Sequence, residues 1–213
     1  MKIISHRGYW KAAHEKNQEI AFNRSFHLGY GTETDVRDLA GKLVISHDPA
    51  KGNEMGLDEF LQLPKANQLP LALNVKADGL ASLIVDALHR HNVKNWFVFD
   101  MSIPDMRAYL KAGCPVYCRM SEVERIPAWM NECAGVWLDS FGTEWYDTDF
   151  LDQLLGKRKA ICIVSSELHG RDPQGLWQMI KPFASNTHLM LCTDMPETAS
   201  TYFYNSQNTD SYD

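Results

Sequence analysis

The chain has 213 residues, 45% hydrophobic and 23% charged, a globular composition that argues against a disordered or fibrous protein. Its 21 Lys and Arg against 27 Asp and Glu give a net charge of −6, which argues against a nucleic-acid binder working through a broad basic face. No apolar run reaches the ~18 residues of a membrane-spanning helix, and the start Met1-Lys2-Ile3-Ile4-Ser5-His6 turns polar at once, so a cytoplasmic location is expected.

Nine short apolar runs read as strands in chain order: Lys2 to Ser5, Thr32 to Val36, Leu43 to Ser46, Leu71 to Val75, Trp96 to Phe99, Val116 to Cys118, Gly135 to Leu138, Ala160 to Val164 and His188 to Cys192. Apolar residues at helical spacing lie between them, over Asn17 to Leu28, Gly79 to His89, Thr148 to Leu155 and Gln174 to Phe183. Leu39-Ala40-Gly41-Lys42 is too short for a helix, so Leu43 to Ser46 reads as a hairpin return. Eight strands remain, each followed by a helix or a helix-like stretch. That pattern predicts an α/β protein, a compact (β/α)8 TIM barrel, at the short end of a class that typically runs to ~250 residues. An open doubly wound sheet is the alternative, and no Gly-x-Gly-x-x-Gly follows the first strand to support a dinucleotide role. One domain over residues 1–204 is expected, with a polar tail at 205–213. The five scattered cysteines read as buried free thiols.

In a barrel the C-terminal ends of the strands carry the chemistry. Here they carry His6-Arg7-Gly8, Glu33-Thr34-Asp35, His47-Asp48 and Asn74-Val75-Lys76. Period-two geometry puts Glu33 with Asp35, and Asn74 with Lys76, on common faces. Each element alone has an ordinary reading: a hydrogen-bonded histidine, a solvated strand face, a surface lysine, a turn. Together they place two histidines, two carboxylates, an amide, a lysine and an arginine on one rim, a set suited to metal-assisted phosphoryl chemistry. Tyr9, Trp10, Trp137, Phe141 and Trp145 lie near strand ends, where they either stack on a ligand or pack between helices.

These residues also carry a resemblance. His6-Arg7-Gly8, Asn17 with Ala21-Phe22, Gly29 with Glu33-Thr34-Asp35-Val36, Gly41 with His47-Asp48, and Thr193-Asp194-Met195-Pro196 match in order the motifs of glycerophosphodiester phosphodiesterases, in the wider phospholipase C-like barrel superfamily. The chain resembles that family from residue 6 to residue 196. It departs from it in three places. The family's Glu-x-Lys is Asn74-Val75-Lys76; the Glu and Thr of its Glu-Asn-Thr are Lys16 and Gln18; and the insertion from Pro49 to Pro70 is short for a substrate cover.

The resemblance implies a phosphodiester hydrolase acting on a small-molecule glycerophosphodiester or a related, bulkier glycan- or lipid-derived diester, yielding an alcohol and a phosphomonoester. It implies His6 and His47 as the acid–base pair and Arg7 and Lys76 as phosphoryl-binding cations. Glu33, Asp35 and Asn74 are the expected ligands of a divalent cation, Mg2+ or Ca2+, because hard oxygen donors suit these ions. Asp100, at the end of the next strand, is a substitute carboxylate for the one lost at position 74. Two other readings compete: a catalytically impaired barrel that binds a phosphorylated ligand without turnover, motivated by Asn74 and Lys16, and a Schiff-base enzyme using Lys76.

Overall fold

The computed structural model describes residues 1–204; the tail expected at 205–213 lies outside the described residues. The strands are β1 (Lys2–His6), β2 (Gly31–Leu39), β3 (Lys42–Ile45), β4 (Leu71–Val75), β5 (Trp96–Phe99), β6 (Tyr117–Met120), β7 (Gly135–Leu138), β8 (Ala160–Val164) and β9 (Leu189–Thr193). The α-helices are α1 (Glu19–His27), α2 (Leu57–Leu61), α3 (Ala81–Arg90), α4 (Ile103–Lys111), α5 (Thr148–Gly156), α6 (Gln174–Ile180) and α7 (Pro196–Tyr204).

Eight strands run parallel in the order β5-β4-β2-β1-β9-β8-β7-β6, and β3 returns antiparallel along β2 as the hairpin spacing predicts. The two ends of that order meet: Val98 and Val116 form a parallel bridge, and Val98 N donates to Pro115 O at 3.1 Å. The sheet therefore nearly closes on itself as a TIM barrel, and the open-sheet alternative falls. One expectation needs correction. No helix follows β6 among the described residues; the stretch to β7 is built of turns, with Ile126 93% exposed.

Helix formation follows the apolar stripes. On α3, Ala81, Ile84, Ala87 and Leu88 are buried, while Leu83, off that stripe, is exposed. Ser102 caps α4, its Oγ accepting from Asp105 N, and Asp147 caps α5 through Phe150 N.

Two apolar layers result. The outer one fills the space between strands and helices. The inner one plugs the barrel with Ile4, Ala72, Phe97, Phe99, Tyr117, Trp137, Cys162, Val164, Met190 and Cys192. Phe97 stacks on Tyr117 and Phe99 on Trp137, each pair with ring centroids 3.8 Å apart. Trp137 is thus core rather than a rim platform. All five cysteines are buried and unbridged.

The plug positions the site. Two residues beyond plug members on β1, β4, β6, β7 and β9 come His6, Asn74, Arg119, Asp139 and Asp194. A period of two lifts these polar side chains onto the same inward face, at the C-terminal mouth of the barrel.

Candidate active site

Strand register brings the first half of the mouth together: His6 lies beside Glu33, and Asp35 beside Asn74. After His6 the chain takes two successive left-handed residues, Arg7 (φ 55°) and Gly8 (φ 78°). The turn aims Arg7 N at Glu33, where it donates to the backbone O at 3.0 Å and to Oε2 at 3.2 Å. A Cβ at Gly8 would lie 2.7 Å from Ala21 Cβ, so only glycine lets α1 pack this close.

Asp35 is the hub. Its buried carboxylate accepts from Asn17 Nδ2 at 2.8 Å and pairs with Arg7 Nε at 3.0 Å and Lys76 Nζ at 3.3 Å. Asn17 is fixed in turn by Thr34 Oγ1, which donates to its Oδ1 at 2.9 Å. Both cations are therefore clamped by one carboxylate, and the terminal guanidinium nitrogens of Arg7 have no hydrogen-bond partner among the described residues.

Glu33 is fully buried, and its carboxyl is pushed up to about 7. Burial is the main cause and the Asp35 charge adds to it, against the pull of His6, Arg7 and Lys76. His6 stands between two carboxylates: its Nδ1 is 2.9 Å from Asp194 Oδ1, and its Nε2 is 3.9 Å from Glu33 Oε2. Trp10 Nε1 also donates to Asp194 Oδ1, at 3.1 Å. Burial raises the Asp194 carboxyl, but the hydrogen bond and charge of His6, with Lys16 and Trp10 beside it, outweigh that and leave it below its ordinary value. The bond to Asp194 fixes the His6 proton on Nδ1 and leaves Nε2 as the basic atom.

His47 lies apart from this cluster. It is on the loop after β3, its side chain 48% exposed, with Nδ1 2.9 Å from Asp48 Oδ1. Arg37 Nη2 holds the loop by donating to His47 O at 3.1 Å. The Asp48 carboxyl is lowered chiefly by its hydrogen bond to His47, and the charge of Arg7 contributes, so the loop borders the Arg7 side of the mouth.

The expected cation ligands differ in state. Among the described residues no three His, Cys, Asp or Glu side chains group as a metal site. The oxygen donors nonetheless suit a hard cation: Asn74 Oδ1 is buried without a hydrogen-bond partner among the described residues, and Glu33 carries a carboxyl that burial holds against ionisation. A divalent ion would satisfy the first and stabilise the charge of the second. Asp100 pairs with Arg119 Nη1 at 3.2 Å. Burial raises its carboxyl, and Lys76 and Asn74 are close enough to draw it back.

Sequence reasoning singled out six of these residues at three strand ends. Asn17 and Asp194 fall within motifs that by themselves assign neither a role; the signal for Asp194 is its place two residues beyond Cys192 at the end of β9. Of the rim aromatics, Trp10 bonds Asp194, while Trp145 donates to Asp139 O at 2.7 Å and packs on Tyr146 and Phe150.

No family model matches the chain, and no curated protein sequence matches it. Solved structures do. A glycerophosphodiester phosphodiesterase from Agrobacterium tumefaciens superposes with a TM-score of 0.71 at 14% identity, over 95% of this chain and 98% of that one. A glycerophosphoryl diester phosphodiesterase from Parabacteroides distasonis gives 0.55 at 13% identity, over 96% and 86%. A Ca2+-dependent phosphatidylinositol-specific phospholipase C from Streptomyces antibioticus gives 0.57 at 11% identity, over 95% and 96%. The chain thus has the barrel fold shared by these phosphodiesterases.

Proposed function

We propose that this chain is a phosphodiester hydrolase that cleaves a glycerophosphodiester or a related diester to an alcohol and a phosphomonoester. The observation that carries the reading is the clamp on Asp35, which holds Arg7 and Lys76 side by side next to the Asp194-backed His6. Two fixed cations suit the non-bridging oxygens of a diester anion, Arg7 through its free terminal nitrogens and Lys76 as a point charge. A histidine with a free Nε2 beside them suits proton removal from the attacking hydroxyl, whether of water or of the substrate itself. His47, on the exposed rim, suits donation of a proton to the departing alkoxide.

Glu33, Asp35 and Asn74 Oδ1 would hold a divalent cation, Mg2+ or Ca2+, and such an ion supplies charge neutralisation at the phosphoryl oxygens. The chain's own residues do the rest: Asp35 orients the two cations, Asp194 sets the His6 tautomer, and Asn17 locks the strand-to-turn geometry that joins them.

The direct test is glycerophosphocholine cleavage followed by phosphorus NMR, with Mg2+, with Ca2+ and with EDTA. Release of a phosphomonoester in the presence of a cation supports the reading. A folded protein that leaves this and other diesters intact with every cation contradicts it and favours the ligand-binding barrel.

A further inference from the structure

β8 and β9 end side by side, and the residues just past their last pairs form a polar network that the chemistry above leaves unused. The β9 ladders stop at Cys192 against β8 and at Thr193 against β1. Asp194 comes next, and Met195 O already accepts from Ala199 N at 2.9 Å as α7 begins. The carboxylate that fixes the His6 tautomer therefore sits on a single residue between a strand and a helix. It lies past the strand pairing that would otherwise orient it, and its backbone N–H must be satisfied by some other group.

Glu167 is that group. It lies in a single helical turn, Ser166–His169, directly after β8. Its Oε1 accepts from Asp194 N at 3.1 Å and from the Thr193 hydroxyl, and its Oε2 accepts from the Ser165 hydroxyl. Ser165 Oγ in turn accepts from Trp177 Nε1 at 2.8 Å, and Thr193 Oγ1 accepts from Met195 N at 3.0 Å. Ser165 and Thr193 are both fully buried. Each hydroxyl gives one bond and takes one, so the direction of every proton in the network is set. A buried polar network with its members satisfied is rigid, and this one grips Asp194 and both of its chain neighbours.

The turn is pinned from its other side. His169 Nε2 lies 2.7 Å from Oδ1 of the buried Asp139, and Ser166 Oγ donates to Glu144 Oε1 at 2.7 Å. Arg171, just beyond the turn, bonds both Ser140 O and Glu144. Glu167 is thus presented to β9 from a loop tied to the end of β7. Ordering a glutamate side chain costs rotamer freedom, and a fixed loop with three donors to satisfy offsets that cost.

We propose that Glu167 is a positioning residue for His6. By fixing the Thr193–Asp194 backbone it keeps the Asp194 carboxylate on Nδ1, and so keeps the imidazole in the tautomer whose Nε2 is the base. Glu167 touches neither the substrate nor the reacting atoms. Its bonds go to a backbone N–H and to hydroxyls, so what it contributes is acceptor geometry. The role in turnover rests on the phosphodiesterase reading above; the role in the His6 tautomer does not.

The test reads the His6 tautomer by long-range proton–nitrogen NMR correlation of the imidazole, at a pH where the ring is neutral, in the wild type, Glu167→Ala and Glu167→Gln. The wild type should show His6 with its proton on Nδ1 alone, and Glu167→Ala should bring in the Nε2–H form as a second species. On glycerophosphocholine, Glu167→Ala should lose about tenfold to a hundredfold in kcat, with KM within about twofold, as a small misplacement of the base predicts. Glu167→Gln keeps an oxygen for Thr193 and Asp194, so it should keep the wild-type tautomer and a kcat within about threefold. A wild type that already mixes the two tautomers, or a folded Glu167→Ala that keeps Nδ1–H alone, would overturn the proposal. A Glu167→Gln as impaired as Glu167→Ala would overturn it too, because acceptor geometry would then not be what matters. If Glu167→Ala does not fold, Glu167→Asp takes its place: it keeps the charge but draws the oxygens back by one methylene, so it should mix the tautomers where Glu167→Gln does not, and a single Nδ1–H form in it overturns the proposal. A wild type that leaves diesters intact refutes the phosphodiesterase reading alone, and the spectra still decide the role of Glu167.

Discussion

His6 and Asp194 stand 188 residues apart in the chain, and their side chains meet at 2.9 Å across the joint between β1 and β9, where the two ends of the barrel sequence pair. The carboxylate decides which imidazole nitrogen carries the proton. Asp194→Asn keeps the shape but can offer its amide N–H to Nδ1, which moves the proton to Nε2 and removes the base. The expected loss in kcat is a hundredfold or more, on the order seen when the orienting carboxylate of a catalytic histidine becomes an amide. KM should change little, and a normal melting temperature would show that the fold is intact.

The two histidines should separate by leaving group. p-Nitrophenolate departs without a proton, whereas an alkoxide needs one. His47→Ala is therefore expected to cost far more on glycerophosphocholine than on bis(p-nitrophenyl) phosphate, while His6→Ala should abolish both. Equal losses on the two substrates in His47→Ala would remove the acid role from the rim loop.

Glu33 links the site to stability. Its carboxyl is raised from an ordinary 4.5 to about 7, so the folded protein keeps a proton that the unfolded chain releases between those values. Stability in EDTA should therefore fall as pH rises from about 4.5 to about 7, by an amount on the order of 3 kcal/mol. Glu33→Gln should flatten that slope and melt higher than wild type at pH 8. A slope that survives Glu33→Gln assigns it to other groups.

Gly8→Ala tests the turn that carries Arg7. The added methyl meets Ala21 Cβ at 2.7 Å and Ala21 backbone C at 2.9 Å, on a residue already at φ 78°. Left-handed strain and the overpacking of α1 together should cost about 2–4 kcal/mol, read as a lower denaturation midpoint with an unchanged m-value.

Asn74→Glu restores a carboxylate beside Asp35. Cation affinity by calorimetry should rise at least tenfold, since a charged oxygen replaces a neutral one on a hard ion. Unchanged affinity would take position 74 out of the ligand set. Activity that emerges only in this variant would mark the wild-type site as a decayed one.

Much of this was legible in the sequence because a barrel strand is a short apolar run with its chemistry at one end. Leu71–Val75, Trp96–Phe99, Gly135–Leu138 and Ala160–Val164 form with the ends their side chains predict, and His6, Arg7, Glu33, Asp35, Asn74 and Lys76 follow directly from three of the strand ends. Helices were harder. On α4 only Met106 and Tyr109 are buried, too sparse a stripe to register, and α7 begins on Pro196, which reads more readily as a break than as a first helical residue. The helix-like stretch expected after β6 is a turn-rich loop, because Ser121 and Glu124 close on each other through reciprocal backbone bonds instead of continuing a helix. Asp139–His169 was hidden for another reason: the pair spans two βα loops, and nothing in local periodicity says that a histidine after β8 reaches a carboxylate after β7.

The measurement that bears most directly on the central claim is hydrolysis of bis(p-nitrophenyl) phosphate by the wild type and by His6→Ala, with EDTA, Mg2+ and Ca2+. The account predicts cation-dependent turnover in the wild type and a loss of a hundredfold or more in His6→Ala at full folded stability. Turnover that His6→Ala retains would contradict it, because the reaction would then run without the histidine that Asp194 and Glu33 flank.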